Sequence, residues 1–254
     1  VAEKVVLITG GAGGIGMETA QEFLDQGDTV VLVDINQEAL TKTKETLKGD
    51  QDKIMVVQAN VTDEEDVKNY VKQTLDAYGR IDVFFNNAGV NGPFEKIKDL
   101  SKDQFESVMG INVTGIFLGL KHVIPQMESQ GSGSIINTAS NAAYIGSAGM
   151  SGYIASKHAV AGLTKTAALE AAESGVRVNA VAPAAIDTQM LSTIQQNTSP
   201  DDPEAAAEAI RQGIPAGRFG TPKEVAQVVL FLASDNATFV NGSLYNVDGG
   251  MQAD

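Results

Sequence analysis

The chain has 254 residues, 43% hydrophobic and 20% charged, which suits one large α/β domain with a full core. Its 32 acidic residues against 18 basic ones leave a formal charge of −14, which opposes a broad phosphate-binding face and argues against a nucleic-acid partner. With no cysteine and only two histidines, His122 and His158, it has neither a disulfide framework nor a zinc-type ligand set, so no metal is expected.

Short Val/Ile/Phe-rich runs alternate with amphipathic stretches along the whole chain. Strands are expected at 4–9, 29–34, 54–59, 81–87, 133–139, 176–182 and 243–248, and helices at 14–26, 36–48, 63–78, 101–130, 151–174 and 221–233. The strands are near-continuous apolar runs, as in parallel strands buried on both faces. Helix starts carry their own signals: Thr62-Asp63-Glu64-Glu65 reads as a cap with an acidic first turn, Ser101-Lys102-Asp103-Gln104 has capping-box spacing, and Thr221-Pro222 places proline at the first helical position. This alternation predicts a single-domain, Rossmann-type, doubly wound α/β fold: a seven-stranded parallel sheet with helices on both faces. No uninterrupted apolar run reaches the ~18 residues of a membrane span, so no membrane partner is expected. VAEKVVLITGG enters a strand directly with no signal-peptide pattern, which reads as cytoplasmic.

Segment 184–216 breaks the rhythm. It is long, polar in its middle and holds Pro200, Pro203 and Pro215. Long irregular connections are usually functional, so one or two helices folding over a pocket are expected there.

The first strand runs into Thr9-Gly10-Gly11-Ala12-Gly13-Gly14-Ile15-Gly16. A glycine-rich turn that opens a helix can present backbone N–H groups and the positive helix end to a pyrophosphate. Two registers fit, Gly11-x-Gly13-x-x-Gly16 and Gly10-x-x-x-Gly14-x-Gly16. Asp34 ends the second strand, where an acid can accept hydrogen bonds from an adenosine ribose. Its charge would repel the extra phosphate of NADP, and no Arg or Lys lies at 35–41 to offset it; the first is Lys42. The expected cofactor is NAD. On the helix at 151–174, Tyr153 and Lys157 stand at i and i+4 and share a face. An ammonium there favours ionisation of the phenol, making it a candidate acid-base for a carbonyl or alcohol oxygen.

Gly10-x-x-x-Gly14-Ile15-Gly16, Asn86-Asn87-Ala88-Gly89, Asn112, Ser140, Tyr153-x-x-x-Lys157 and Val247-Asp248-Gly249-Gly250 occur in one order across the whole chain. That set resembles the short-chain dehydrogenase/reductase family in its form of about 250 residues. The resemblance implies that Tyr153 is the acid in ketone reduction and the base in alcohol oxidation. It implies that Lys157 lowers the Tyr153 pKa and binds the nicotinamide ribose, and that Ser140 donates to the substrate oxygen. Asn112 would anchor a water that relays protons to the lysine. Gly13, Ile35 and Asn87-Ala88-Gly89 would line the cofactor, with Asn60-Val61 at the adenine, where the family more often has Asp in place of Asn60. Pro183, Ile186 and Thr188 would contact the nicotinamide carboxamide and the phosphates; here Ala184 follows Pro183, where the family has glycine, so the turn must accept a Cβ.

The substrate pocket is expected from 90–97, 141–151 and the 184–216 lid, with Asn91, Asn141, Tyr144, Met150 and Met190 among its walls. No Lys or Arg occurs in 89–95, 141–156 or 184–210, which suits a neutral ketone or secondary alcohol. Within the family, FFNNAG, GIFLGL and SGYIASKHAVAGLT look most like cyclic-ketone and secondary-alcohol dehydrogenases. Alternatives are a 3-oxoacyl-acyl-carrier-protein reductase, a sugar dehydrogenase, or a dinucleotide sensor or scaffold without activity. The resemblance also implies a homotetramer built through the helices at 101–130 and 151–174 and the last strand.

Overall fold

The computed structural model describes residues 3–253. Seven strands form one sheet: β1 (Val5–Thr9), β2 (Thr29–Asp34), β3 (Ile54–Gln58), β4 (Val83–Asn86), β5 (Gly133–Thr138), β6 (Val176–Pro183) and β7 (Leu244–Val247). All neighbours are parallel, in the order β3-β2-β1-β4-β5-β6-β7. Successive side chains on a strand face opposite ways, so each central strand feeds two cores. Val6, Ile8, Val30, Leu32, Phe85 and Ile136 join one cluster. Leu7, Val31, Phe84, Ile135 and Val178 join the other. The first is covered by α1 (Gly14–Asp25), α2 (Gln37–Thr46) and α9 (Pro222–Leu232), through Phe23, Leu40 and Val229. The second is covered by α3 (Glu64–Tyr78), α5 (Gly115–Gln130) and α6 (Ser151–Ala171), through Tyr70, Ile116 and Val160. The doubly wound architecture follows from this, and each predicted strand and helix finds its counterpart.

Helix starts follow the chain's signals. Asp63 caps α3, accepting from the Glu65 and Asp66 N–H groups, one residue later than the Thr62 expected. Ser101 with Gln104 and Thr221 with Glu224 form complete capping boxes. Segment 184–216 folds into α7 (Gln189–Thr198) and α8 (Pro203–Gln212).

The helix expected at 101–130 departs from plain periodicity. It comprises α4 (Lys102–Met109), a π turn over Gly110–Thr114, and α5. By length and composition the run Lys102–Gln130 could cross a membrane, with a mean hydropathy of 1.4 over its most apolar stretch. This corrects the expectation drawn from uninterrupted runs, because an average tolerates Asn112 and Thr114 among their apolar neighbours. In the fold 44% of that stretch is buried, with Ile116, Leu120 and Val123 turned into the core.

Candidate active site

The strand order reverses at β1, which has β2 on one side and β4 on the other. In such sheets the crevice beyond the strand carboxyl ends at this reversal is the natural ligand site. Here the two strand ends are tied together. The Thr9 hydroxyl oxygen accepts from the N–H groups of Asn87 (2.9 Å) and Ala88 (3.1 Å), and Asn87 Nδ2 donates to the Thr9 carbonyl at 3.1 Å. Beyond them opens a cavity of about 440 Å3.

Gly10, Gly13, Gly14 and Ile15 line one end of it. Gly10 sits at φ +63°, and a Cβ on Gly16 would lie 2.2 Å from the Gly10 carbonyl oxygen, so the tight turn requires glycine at both. Gly16 therefore shapes the turn from behind without lining the cavity. Gly13 caps α1 with no side-chain hydrogen bond, and the first turn has no acidic residue. The N–H groups and the positive end of the helix dipole are thus left for an anion. Asp34 also lines the cavity; its carboxylate accepts from Ala12 N–H at 3.3 Å and Asn36 N–H at 3.2 Å. It does not cap α2, because Asn36 does.

Three of the residues expected at the cofactor, Ile35, Asn60 and Val61, stay outside the lining. Ile35 is exposed beside Asp34. The Asn60 side chain is occupied in a local turn, accepting from Thr62 N–H and its hydroxyl. Val61 packs against the start of α5 at Gly115.

The chemistry-bearing side chains converge at the other end. Ser140, Asn141, Tyr153, Lys157, Asn91, Met150 and Met190 all line the cavity, as do Pro183, Ile186 and Thr188. Ala184 needs no special backbone, since among the described residues only glycines have positive φ. The Ser140 Oγ accepts from Ala142 N–H at 3.2 Å, and its proton lies between Asn141 Oδ1 (3.1 Å) and the Pro183 carbonyl (3.3 Å). Lys157 Nζ donates to the Thr138 carbonyl at 2.8 Å, and the Thr138 hydroxyl donates to Asn87 Oδ1 at 3.0 Å. Thr138 thus couples the lysine to the strand-end junction, and nothing in its own sequence context signals that role. Tyr144 points outward, 45% exposed, and does not join the lining.

Asn112 is fully buried in the π turn and also lies outside the cavity lining. Its amide clamps the loop after β4: Oδ1 accepts from Val90 N–H at 2.8 Å and Nδ2 donates to the Val90 carbonyl at 2.8 Å. Nδ2 also reaches Ser156 Oγ on α6 at 3.0 Å, and that hydroxyl donates to the Tyr153 carbonyl. Its observed contacts are those of a strut between the β4 loop and the catalytic helix.

The ionisation of Tyr153 differs from the expectation. Burial pushes the phenol pKa up, with the Ser140 hydroxyl acting in the opposite direction. Burial lowers Lys157 to about 8. The upward push of burial prevails although Lys157 Nζ, bonded to the Thr138 carbonyl, stands over the ring face 5.5 Å from the centroid, where its charge still favours the phenolate. Tyr153 is therefore a protonated acid at neutral pH, beside a cation whose charge is costly to keep.

Fold and site define a Rossmann-type oxidoreductase acting on CH–OH groups, with a dinucleotide crevice and a Ser-Tyr-Lys set at one opening. The chain belongs to the short-chain dehydrogenase/reductase family: the family model described as enoyl-(acyl carrier protein) reductase matches residues 10–252. It is 41% identical to levodione reductase of Leifsonia aquatica, over 99% of this chain and 95% of that protein. It is equally similar, at 41%, to the 3-oxoacyl-acyl-carrier-protein reductase of Thermotoga maritima, over 98% of this chain and 97% of the other. Cyclohexanol dehydrogenase of an Acinetobacter species is also 41% identical, over 97% and 94%. Among solved structures, levodione reductase superposes with a TM-score of 0.95 at 40% identity, covering 98% of both chains. An NAD+-bound xylitol dehydrogenase gives 0.93 at 36%, covering 97% of this chain and 98% of that one.

Proposed function

We propose that the protein interconverts a neutral secondary alcohol and its ketone, most favourably a cyclic one, with NAD as cofactor. The observation that carries this reading is the charge census of the cavity: Asp34 and Lys157 are the only acidic or basic side chains among its lining residues. Lys157 is committed to Thr138, so no free cation is left for a carboxylate or phosphate substrate. The rest of the catalytic end combines apolar Met150, Ile154, Met190, Leu191 and Ile194 with the uncharged polar side chains of Asn91, Asn141, Ser147 and Gln189. Two relatives of equal similarity are named for cyclic ketone or alcohol substrates.

The residues present fit a dinucleotide. Gly10, Gly13 and Gly14 leave room where a side chain would intrude; a Cβ on Gly14 would already lie 3.2 Å from the Thr188 methyl. When bound, NAD supplies or accepts the hydride. In the direction of reduction Tyr153 donates its proton to the carbonyl oxygen, Ser140 steadies the charge that develops there, and the Lys157 ammonium eases the loss of the phenolic proton. Asn112 and Ser156 keep the catalytic helix in register with the loop after β4. Ile35 follows Asp34 in the chain, and Asn60-Val61 follow Ala59, whose N–H donates to the Asp34 carbonyl at 3.0 Å; these residues would meet the adenine from outside the cavity, and Pro183, Ile186 and Thr188 would border the nicotinamide.

Asp34 should set the cofactor preference. Replacing it with Ala together with Ile35→Arg removes the repelling charge and adds a phosphate partner, so the ratio of kcat/KM for NADP to that for NAD should rise at least tenfold. An unchanged ratio would remove Asp34 from the argument.

The 3-oxoacyl-acyl-carrier-protein reductase reading keeps one specific observation, the Thermotoga relative of equal identity. A charge of −14 opposes docking of an acidic carrier protein. The deciding experiment is a panel of cyclic ketones, aryl ketones, sugars and a 3-oxoacyl thioester with each cofactor, followed by nicotinamide absorbance. Turnover confined to the thioester would overturn the reading. A cytoplasmic homotetramer is part of the proposal: the exposed Phe117 on α5 and Phe231 on α9 suit burial between copies, which light scattering would test.

A further inference from the structure

Ile210 of α8 walls the cavity from within the expected lid, and Met251 of the final turn walls it from a place the sequence did not suggest. The turn that carries Met251 is built with care. Asp248 Oδ1 accepts from Gly250 N–H at 2.9 Å, and its Oδ2 accepts from Gln252 N–H at 3.0 Å. The Gly249 carbonyl accepts from Ala216 N–H at 3.0 Å, where segment 184–216 ends. A Cβ on Gly249 would lie 2.8 Å from the Ile214 methyl and 3.1 Å from Ala216 Cβ, so turn and segment are in full contact. The other end of the segment rests on the cofactor turn, through Thr188 against Gly14. The C-terminal turn therefore does two things at once: it anchors the α7–α8 segment and places one side chain in the same cavity as Tyr153.

That side chain is a methionine, as are Met150 and Met190 from two other elements. Methionine is unbranched and flexible and moulds itself to apolar surfaces of varied shape. We propose that the C-terminal turn is a specificity-determining wall for an apolar, ring-bearing ketone, with Met251 as its contact residue and Asp248 as its positioning residue. The inference rests on the ketone reading above and adds which residues set the size limit.

The test uses the full chain, cyclohexanone, and cyclohexanones with methyl, propyl and tert-butyl substituents, with NADH affinity measured separately by fluorescence titration. Met251→Ala should raise kcat/KM for the bulkiest ketone relative to cyclohexanone about tenfold, since one or two methylenes of pocket space decide discrimination on that scale. Met251→Leu should keep the wild-type ranking. Asp248→Ala should raise KM for every ketone with little change in kcat, while NADH affinity stays as in wild type. The proposal is overturned if Met251→Ala leaves the ranking unchanged, or if Asp248→Ala weakens NADH as much as ketone. Should Asp248→Ala fail to fold, the Met251 pair decides alone. A wild-type enzyme that turns over none of the ketones strikes instead at the ketone reading, and the proposal falls with it; NADH binding and wild-type turnover keep the two failures apart.

Discussion

Tyr153→Phe should lower kcat for ketone reduction by about 10²–10⁴-fold, the range that a positioned general acid contributes. The change removes one oxygen from a half-buried helix position and nothing else. Ser140 keeps its bonds to Ala142, Asn141 and Pro183, and Lys157 keeps Thr138. NADH binding, read by fluorescence, and the thermal midpoint should stay near wild type. Wild-type turnover in this variant would mean that another group supplies the proton, and the assignment of Tyr153 would fail.

The second large effect concerns Lys157 and divides between rate and stability. Lys157→Met keeps the length and apolar stem but removes the charge, and should cut kcat about 10²–10³-fold, the usual loss for one electrostatic stabiliser. Stability should move the other way. The lysine pKa falls from 10.5 to about 8 on burial. Because the folded pKa lies below the unfolded one, the native state binds fewer protons between those two values, and stability rises with pH across that window. Below about 8 the cost of the buried charge is fully present, about 3 kcal/mol from a shift of this size. Losing the bond to the Thr138 carbonyl offsets about 1–2 kcal/mol of that. The variant should therefore unfold about 1–2 kcal/mol later than wild type at pH 7, with the gap closing as pH approaches 10. In wild type, ketone reduction should weaken above about pH 8, as Lys157 loses its charge while Tyr153 stays protonated. A gap in stability that widens with pH would show the sign to be wrong.

Much of the molecule was legible because local chemistry and global fold agree. The apolar strands, the capping boxes at Ser101 and Thr221 and the glycine turn each state their structure within a few residues. What could not be read depends on distant parts of the chain meeting. Met251 enters the cavity only because the final turn packs against segment 184–216. Thr138 matters through partners 51 and 19 residues away. The Tyr153 shift was expected in the wrong direction because i,i+4 spacing places a cation near a ring but says nothing of how deeply both are buried. The π turn was invisible for another reason: one extra residue in a turn leaves the composition of a helix unchanged.

That extra residue governs how the chain tolerates change in length. The crossover between β4 and β5 could be spanned by a plain α-helix. Deleting one residue within 110–114 would let the run close into regular helix and rotate everything before it by about 100° relative to α5. α5 would keep its seat on the sheet, yet Asn112 would leave Val90 and Ser156. The residue count of this helix is therefore set by the catalytic centre, and a silent-looking single deletion there should leave a folded protein with its loop after β4 unclamped.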